Sequence, residues 1–408
     1  MATTAEVFQP RARQVAAQPW LRSPKWDLSF LILSIFIAAI PYSIYLVVGG
    51  DALRDASIKG TTAYNARLLV NSLVALFIGG PHMYATFTRT IMDREFLRKR
   101  FWFIASSILV PISVFAMAIL SYETYVWLLT IFFAMASLHA LQQIIWLTGA
   151  YNRKAKLAFS WKNSILDYGV IFFSLYPIAV YKMTTGDFKI GPVALKYSAF
   201  MYGWTWLAAL AGIVFAVFLA LFVGKTYLEY RAGYFNLPKT LLISLTVLLL
   251  FWTPAFPNMD TAFQGINTWH SFQYLALTWY ANRLREQKTG KRIGFMHWLS
   301  QLSQTARHKA RATGSGIVGY ARHFSTGIVN GLRKVDKDTG WTTFYMLCLA
   351  MLPISGILLI SASAFWPNLH AGLPGADEVY TYMGILSVLL VHYVHDALLF
   401  TDSEAIVE

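Results

Sequence analysis

YVWLLTIFFAMASLHALQQIIWLTG, residues 125–149, contains no Asp, Glu, Lys or Arg. As a helix rising about 1.5 Å per residue, a run of this length crosses the ~30 Å hydrocarbon core of a bilayer. Its one imidazole, His139, lies past the middle of the run. Comparable apolar runs recur at about 29–48, 68–88, 101–120, 164–181, 197–223, 240–256, 261–280, 343–364 and 380–401. The 408 residues are 56% hydrophobic and only 13% charged, with a mean hydropathy of +0.48. The chain therefore reads as an all-α, polytopic transmembrane bundle of about ten spans.

The loop charges fix an orientation. Alternate connections are basic: the N-terminus with Arg11, Arg13, Arg22 and Lys25; then Arg89 to Arg100; then Arg153 to Lys162; then Lys225, Arg231 and Lys239; then the long segment from Arg283 to Lys337. The connections between them are short, mixed or acidic, such as Asp377-Glu378. The positive-inside rule places both termini in the cytoplasm. The expected organisation is a cytoplasmic segment 1–28, spans one to eight over 29–281, a basic interfacial loop 282–341, spans nine and ten over 342–401, and a tail 402–408. The loop is expected to hold amphipathic helices broken near Gly314-Ser315-Gly316, with His297, His308 and His323 as surface residues.

A net charge of +14 would suit nucleic acid only if the basic groups were gathered on one soluble domain. Scattered over loops, they suit anionic lipid at the cytoplasmic face, and no nucleic-acid partner is expected. No short apolar core with a small-residue cleavage site precedes Trp26, so no removable signal peptide is expected. The single cysteine, Cys348, lies in an apolar segment and can form no intrachain disulfide. No Gly-rich phosphate loop is present, which disfavours a nucleotide-driven pump.

Histidine carries the functional signal. With both termini inside, spans two, four, eight and ten run in the same direction, and each carries imidazole: His82, His139, His270 and the pair His392/His395. Counted from the cytoplasmic ends, all five lie roughly 9–15 Å deep. Ionisable side chains are costly in hydrocarbon, so their convergence at one depth points to an intramembrane metal or cofactor site. A lone membrane histidine often just bonds a neighbouring helix; five at one depth argue for metal. Polar neighbours fit a cofactor shell: Gln142 and Gln143 after His139, Thr86 one turn after His82, Gln273 and Tyr274 after His270, and Asp396 beside His395, as a ligand or a carboxylate behind the ligands.

Imidazole without thiolate suits iron, copper or zinc, and few carboxylates favour mononuclear non-haem Fe(II) over a bridged pair. Haem or a chlorophyll-type pigment held by facing histidines is the alternative cofactor. The multiple histidine boxes of membrane desaturases are absent, as are HExxH, a serine nucleophile elbow and CxxCH.

At Gly79-Gly80-Pro81-His82 and Trp269-His270-Ser271 the sequence resembles the Brp/Blh family of bacterial membrane β-carotene dioxygenases. That resemblance implies one iron held by histidines, with His82, His139 and His270 among the ligands, a carotenoid or isoprenoid substrate, and a bacterial inner (plasma) membrane. The family's WHS segment continues to a second histidine one turn on, where this chain has Tyr274; His392 or His395 is expected to replace it. The expected activity is that of an iron-dependent oxidoreductase using dioxygen on a lipophilic substrate. Two rivals are a haem- or pigment-binding accessory subunit of a membrane complex and a histidine-lined transporter. A homo-oligomer or other membrane partners are compatible with each.

Overall fold

The structure is a computed structural model and describes residues 18–49, 60–155, 161–256, 259–289 and 340–400. Ten long helical segments dominate it: α1 Pro24–Val48, α2 Thr62–Arg89, α3 Phe101–Leu120, α4 Tyr122–Lys154, α5 Ser164–Thr185, α6 Trp206–Arg231, α7 Leu237–Ala255, α8 Met259–Thr289, α9 Trp341–Phe365 and α10 Val379–Leu399. Among the described residues the only strands are β1 Lys189–Ile190 and β2 Val193–Ala194, paired as a small antiparallel hairpin. The molecule is an all-α polytopic bundle.

Nine of the ten segments are long and apolar enough to cross a membrane. The exception, α8, is interrupted by Gln264, Asn267, Thr268, His270, Ser271 and Gln273. Its position explains why it can be so polar. α8 packs against α1, α2 and α4, and Thr268, His270, Ser271, Gln273 and Asn282 are all buried within the protein. Large apolar side chains instead cover the outside of other helices, as with Phe36 and Ile40 on α1, Ile213 and Val217 on α6, and Ile357 and Ile360 on α9. That pattern, polar inside and apolar outside, suits a lipid solvent.

Two expected boundaries move. The span expected at 197–223 starts later, because Lys196–Met201 forms a separate short helix and the chain turns at Gly203 (φ +81°) before α6. Residues 197–204 are apolar yet belong to the connection. Lys225 and Lys239, read from sequence as part of a basic loop, lie inside α6 and α7. There Lys225 meets Asp167 at 2.6 Å, and Lys239 meets Asp167 at 3.3 Å and Glu229 at 3.4 Å. This buried ring of opposite charges ties α5, α6 and α7 together. The loop expected from residue 282 also begins later, since α8 continues to Thr289. Residues 290–339, with His297, His308, His323 and the amphipathic helices expected there, lie outside the described residues, as do 1–17 and 401–408.

The helices that carry histidine are parallel. At one end, Arg67 of α2 bonds Glu378 at 2.9 Å just before α10, and Tyr122 and Tyr125 of α4 donate to the carbonyls of Pro374 and Gly375. The starts of α2, α4 and α10 therefore lie together. Ser121 caps α4 there, exchanging bonds with Thr124 in a capping box. At the other end, Asn282 of α8 donates to Thr88 of α2 at 3.2 Å, and Arg285 pairs with Asp93 just beyond α2.

Local features of α2 deliver His82 to the interior. A π-helical turn over Ala75–Gly79 precedes Gly80-Pro81-His82, and such turns rephase the residues that follow. Pro81 has no N–H to offer the Phe77 carbonyl one turn back; the Tyr345 hydroxyl of α9 donates to that carbonyl at 2.6 Å. A Cβ on Gly80 would lie 2.5 Å from the Ala75 carbonyl oxygen and 2.2 Å from Leu352 Cδ2 of α9, so the π turn itself favours glycine here and Leu352 fills the space a side chain would take.

The same constraint recurs between α9 and α10. A Cβ on Gly384 would sit 2.7 Å from the Ser355 carbonyl oxygen, whereas one on Gly356 would meet nothing within 4 Å. Overpacking a close contact costs about 1–3 kcal/mol. Gly384→Ala is therefore expected to lower the melting temperature in detergent while Gly356→Ala leaves it unchanged or raises it; an equal fall in the two variants would contradict the close α9–α10 packing.

Candidate metal centre

His82, His139, His270 and His392 come from α2, α4, α8 and α10, and all four are buried. Each offers one ring nitrogen to a set whose members lie within 4.8 Å of one another. His82 is closest to His392, with ring centroids 4.3 Å apart, and 4.8 Å from His270; His139 lies 4.8 Å from His270 and 4.9 Å from His392. Four helices thus contribute one imidazole each to a single point, and the group can hold a metal ion.

The unmet bonding of these rings supports that fit. Both ring nitrogens of His82, His139 and His270, and Nε2 of His392, are buried without a hydrogen-bond partner. Each such group costs about 1–3 kcal/mol when left unpaired. One cation would take a lone pair from all four rings at once. Donors bound at about 2.1 Å lie no more than about 4.2 Å apart, so a contraction of about half an ångström closes the set on an ion.

A second group of polar atoms stands directly behind His392. Tyr274 donates to Asp396 Oδ1 at 2.5 Å, and Thr86 donates to the same oxygen at 2.7 Å. Thr86 Oγ1 also meets His392 Nδ1. A hydroxyl has one proton, and that of Thr86 goes to Asp396, so Thr86 Oγ1 accepts from His392 Nδ1–H. This tautomer leaves the lone pair on Nε2, the unpartnered nitrogen of that ring. Hydrogen bonds of this kind orient metal-binding histidines.

Packing holds the other rings. Tyr393 stacks on His139 with centroids 4.3 Å apart and planes 26° from parallel. Gln143 donates to the His270 carbonyl at 3.1 Å and to Gln273 Oε1 at 3.0 Å, and Gln273 reaches the Leu31 carbonyl of α1. Gln143 therefore braces the helix that carries His270 and does not face the ring cluster through a bond of its own. Phe400, 5.7 Å from Trp146 and 6.3 Å from Tyr274, adds aromatic cover beside the cluster.

Two of the candidate residues stand apart from the four rings in this structure. His395, grouped with the ligands because of its depth, is not among the four: its Nδ1 lies 3.1 Å from Thr90 Oγ1 and its Nε2 3.1 Å from Ser107 Oγ. Three residues on a helix leave about 60° of rotation and ~4.5 Å of rise between side chains. With His392 aimed at the cluster, His395 is turned toward α2 and the start of α3, where both nitrogens find hydroxyls. Gln142, placed in the shell with Gln143, is only half-buried and among the described residues makes no hydrogen bond to the site.

Thr86 and Tyr393 are the residues that sequence reading underrated. Thr86 was visible as the residue one turn after His82, but its role depends on where α8 and α10 lie. Tyr393 gave no local signal beyond adjacency to His392.

If the four rings share an ion, His392→Ala is expected to lose metal from the purified protein while His395→Ala retains it at wild-type stoichiometry, by elemental analysis. Equal loss from both variants would contradict the separation of the two histidines. No family model, curated protein or solved structure matches the chain, so the geometry of the centre carries the functional reading.

Proposed function

We propose that the chain is an integral-membrane, metal-dependent oxidoreductase that uses iron at the four-histidine centre on a lipophilic substrate. One observation carries this reading: four buried imidazoles from four helices converge with unpartnered ring nitrogens. Imidazole donors without thiolate suit iron among the common metals, with copper and zinc as the competitors. When bound, iron(II) would supply the dioxygen chemistry that no side chain here can perform alone.

The protein's own contribution is placement and dryness. His82, His139, His270 and His392 would hold the ion, and Thr86 sets the face that His392 presents. Apolar helices and the aromatic rings of Tyr393 and Phe400 limit water at the centre, which strengthens electrostatic interactions and suppresses side reactions. A centre enclosed by lipid-facing helices favours a substrate that dissolves in the bilayer.

The resemblance at Gly79-Gly80-Pro81-His82 and Trp269-His270-Ser271 extends the proposal to carotenoids or related isoprenoids. On this reading His392 takes the coordination position that the family's second WHS-segment histidine would fill, because Tyr274 stands there instead. Loop charge and the same resemblance favour a bacterial inner membrane with cytoplasmic termini and anionic lipid at that face. The close packing of the rings, with neighbouring centroids 4.3–4.9 Å apart, favours a bare ion over a porphyrin or chlorin, whose macrocycle must fit between facing ligands.

Protein purified from iron-supplied cells is expected to carry about one iron per chain and to consume dioxygen when a polyene such as β-carotene is added in detergent. His139→Ala should abolish both. A stoichiometric haem or pigment absorption band, or bound zinc without oxygen uptake, would contradict the proposal.

A further inference from the structure

Among the described residues Asp396 is the one carboxylate at the centre, and half of its bonding capacity is unaccounted for. It is fully buried on α10, one helical turn after His392. Oδ1 accepts from both Tyr274 and Thr86. Oδ2 has no hydrogen-bond partner. It lies 3.6 Å from His139 Nε2 and 3.6 Å from His392 Nε2.

That distance is informative. It exceeds the ~2.7–3.2 Å of a nitrogen–oxygen hydrogen bond. Two donors bound at about 2.1 Å to a shared ion, and separated by about 110–120° at it, lie about 3.4–3.6 Å apart. Oδ2 therefore stands from each Nε2 at the spacing of two donors to one ion and not at that of hydrogen-bond partners.

Charge leads to the same conclusion. Among the described residues no Lys or Arg lies within ion-pair distance of Asp396, so the carboxylate has no cation to offset its burial. A divalent ion held only by neutral imidazoles would keep its full charge inside an apolar bundle. Each charge is costly there alone and is offset by the other.

On the metal reading above, we infer that Asp396 Oδ2 is a fifth donor, making the centre one of four imidazoles and one carboxylate. Thr86 and Tyr274 are positioning residues: by occupying Oδ1 they turn Oδ2 toward the ion. The sequence reading left Asp396 between a ligand and a carboxylate behind the ligands; the open Oδ2 assigns it to the first.

Cobalt(II) titration of the purified, metal-depleted full chain tests this, because the intensity of cobalt's visible bands separates four- from five-coordinate sites. Wild type is expected to bind one cobalt per chain with the weak bands of five coordination. Asp396→Asn keeps the shape but removes the charge and should weaken binding at least about 10–100-fold, the range that even supporting groups produce, with bands intensifying toward four coordination. Thr86→Val should weaken binding and Thr86→Ser restore it, which general loss of packing would not explain.

Unchanged affinity and spectrum in Asp396→Asn, with wild type still binding, would overturn this inference and leave the four-histidine reading intact. Absence of cobalt binding by wild type would remove both. Should Asp396→Asn fail to fold, the Thr86→Val and Thr86→Ser pair carries the test: unchanged affinity and spectrum in Thr86→Val, or intense four-coordinate bands in wild type, would overturn the fifth donor.

Discussion

Unpartnered imidazole nitrogen in a water-poor interior is the constraint around which this protein is arranged. In a lipid solvent every buried polar group needs an internal partner, and the backbone meets that demand by forming helices. Both ring nitrogens of His82, His139 and His270, and Nε2 of His392, do not meet it with side chains or backbone. What they have is one another, at distances that a cation can bridge. On the fifth-donor inference Asp396 completes the balance, bringing negative charge to a place where no other carboxylate lies among the described residues.

The rest of the architecture serves to keep four helices in register. Ties at both ends fix their relative height, with Arg67 to Glu378 at one and Arg285 to Asp93 at the other. Between these ties, α8 is enclosed by its neighbours and can carry a polar face that would be expensive against lipid. The π turn of α2, the Tyr345 bond to the Phe77 carbonyl and the bare surface of Gly80 bring α2 and α9 close together beside His82. α5, α6 and α7 are stapled separately by Asp167, Glu229, Lys225 and Lys239.

Much of this was legible in the sequence because it depends on periodicity and depth. Apolar run lengths located the helices, and the shared depth of His82, His139, His270 and His392 anticipated their meeting. The failures have physical causes. Run length could not separate the apolar connection at 197–204 from α6, because the turn depends on Gly203 at a positive φ. Loop charge counted Lys225 and Lys239 as part of a basic connection, since pairing across three helices is invisible in one dimension. Depth could not distinguish His392 from His395; only the rotation of α10 does, and neighbouring helices set that rotation. Thr86 became the hub of the Asp396 network because α8 and α10 meet α2 at that level, which no local spacing encodes.

A crystal structure of the purified protein, with anomalous diffraction recorded at the edge of the metal found by elemental analysis, tests the central claim most directly. The account predicts one anomalous peak inside the bundle, within about 2.3 Å of a ring nitrogen from each of His82, His139, His270 and His392. An empty centre in protein that carries metal elsewhere, with ordered water bonded to the four rings, would contradict it.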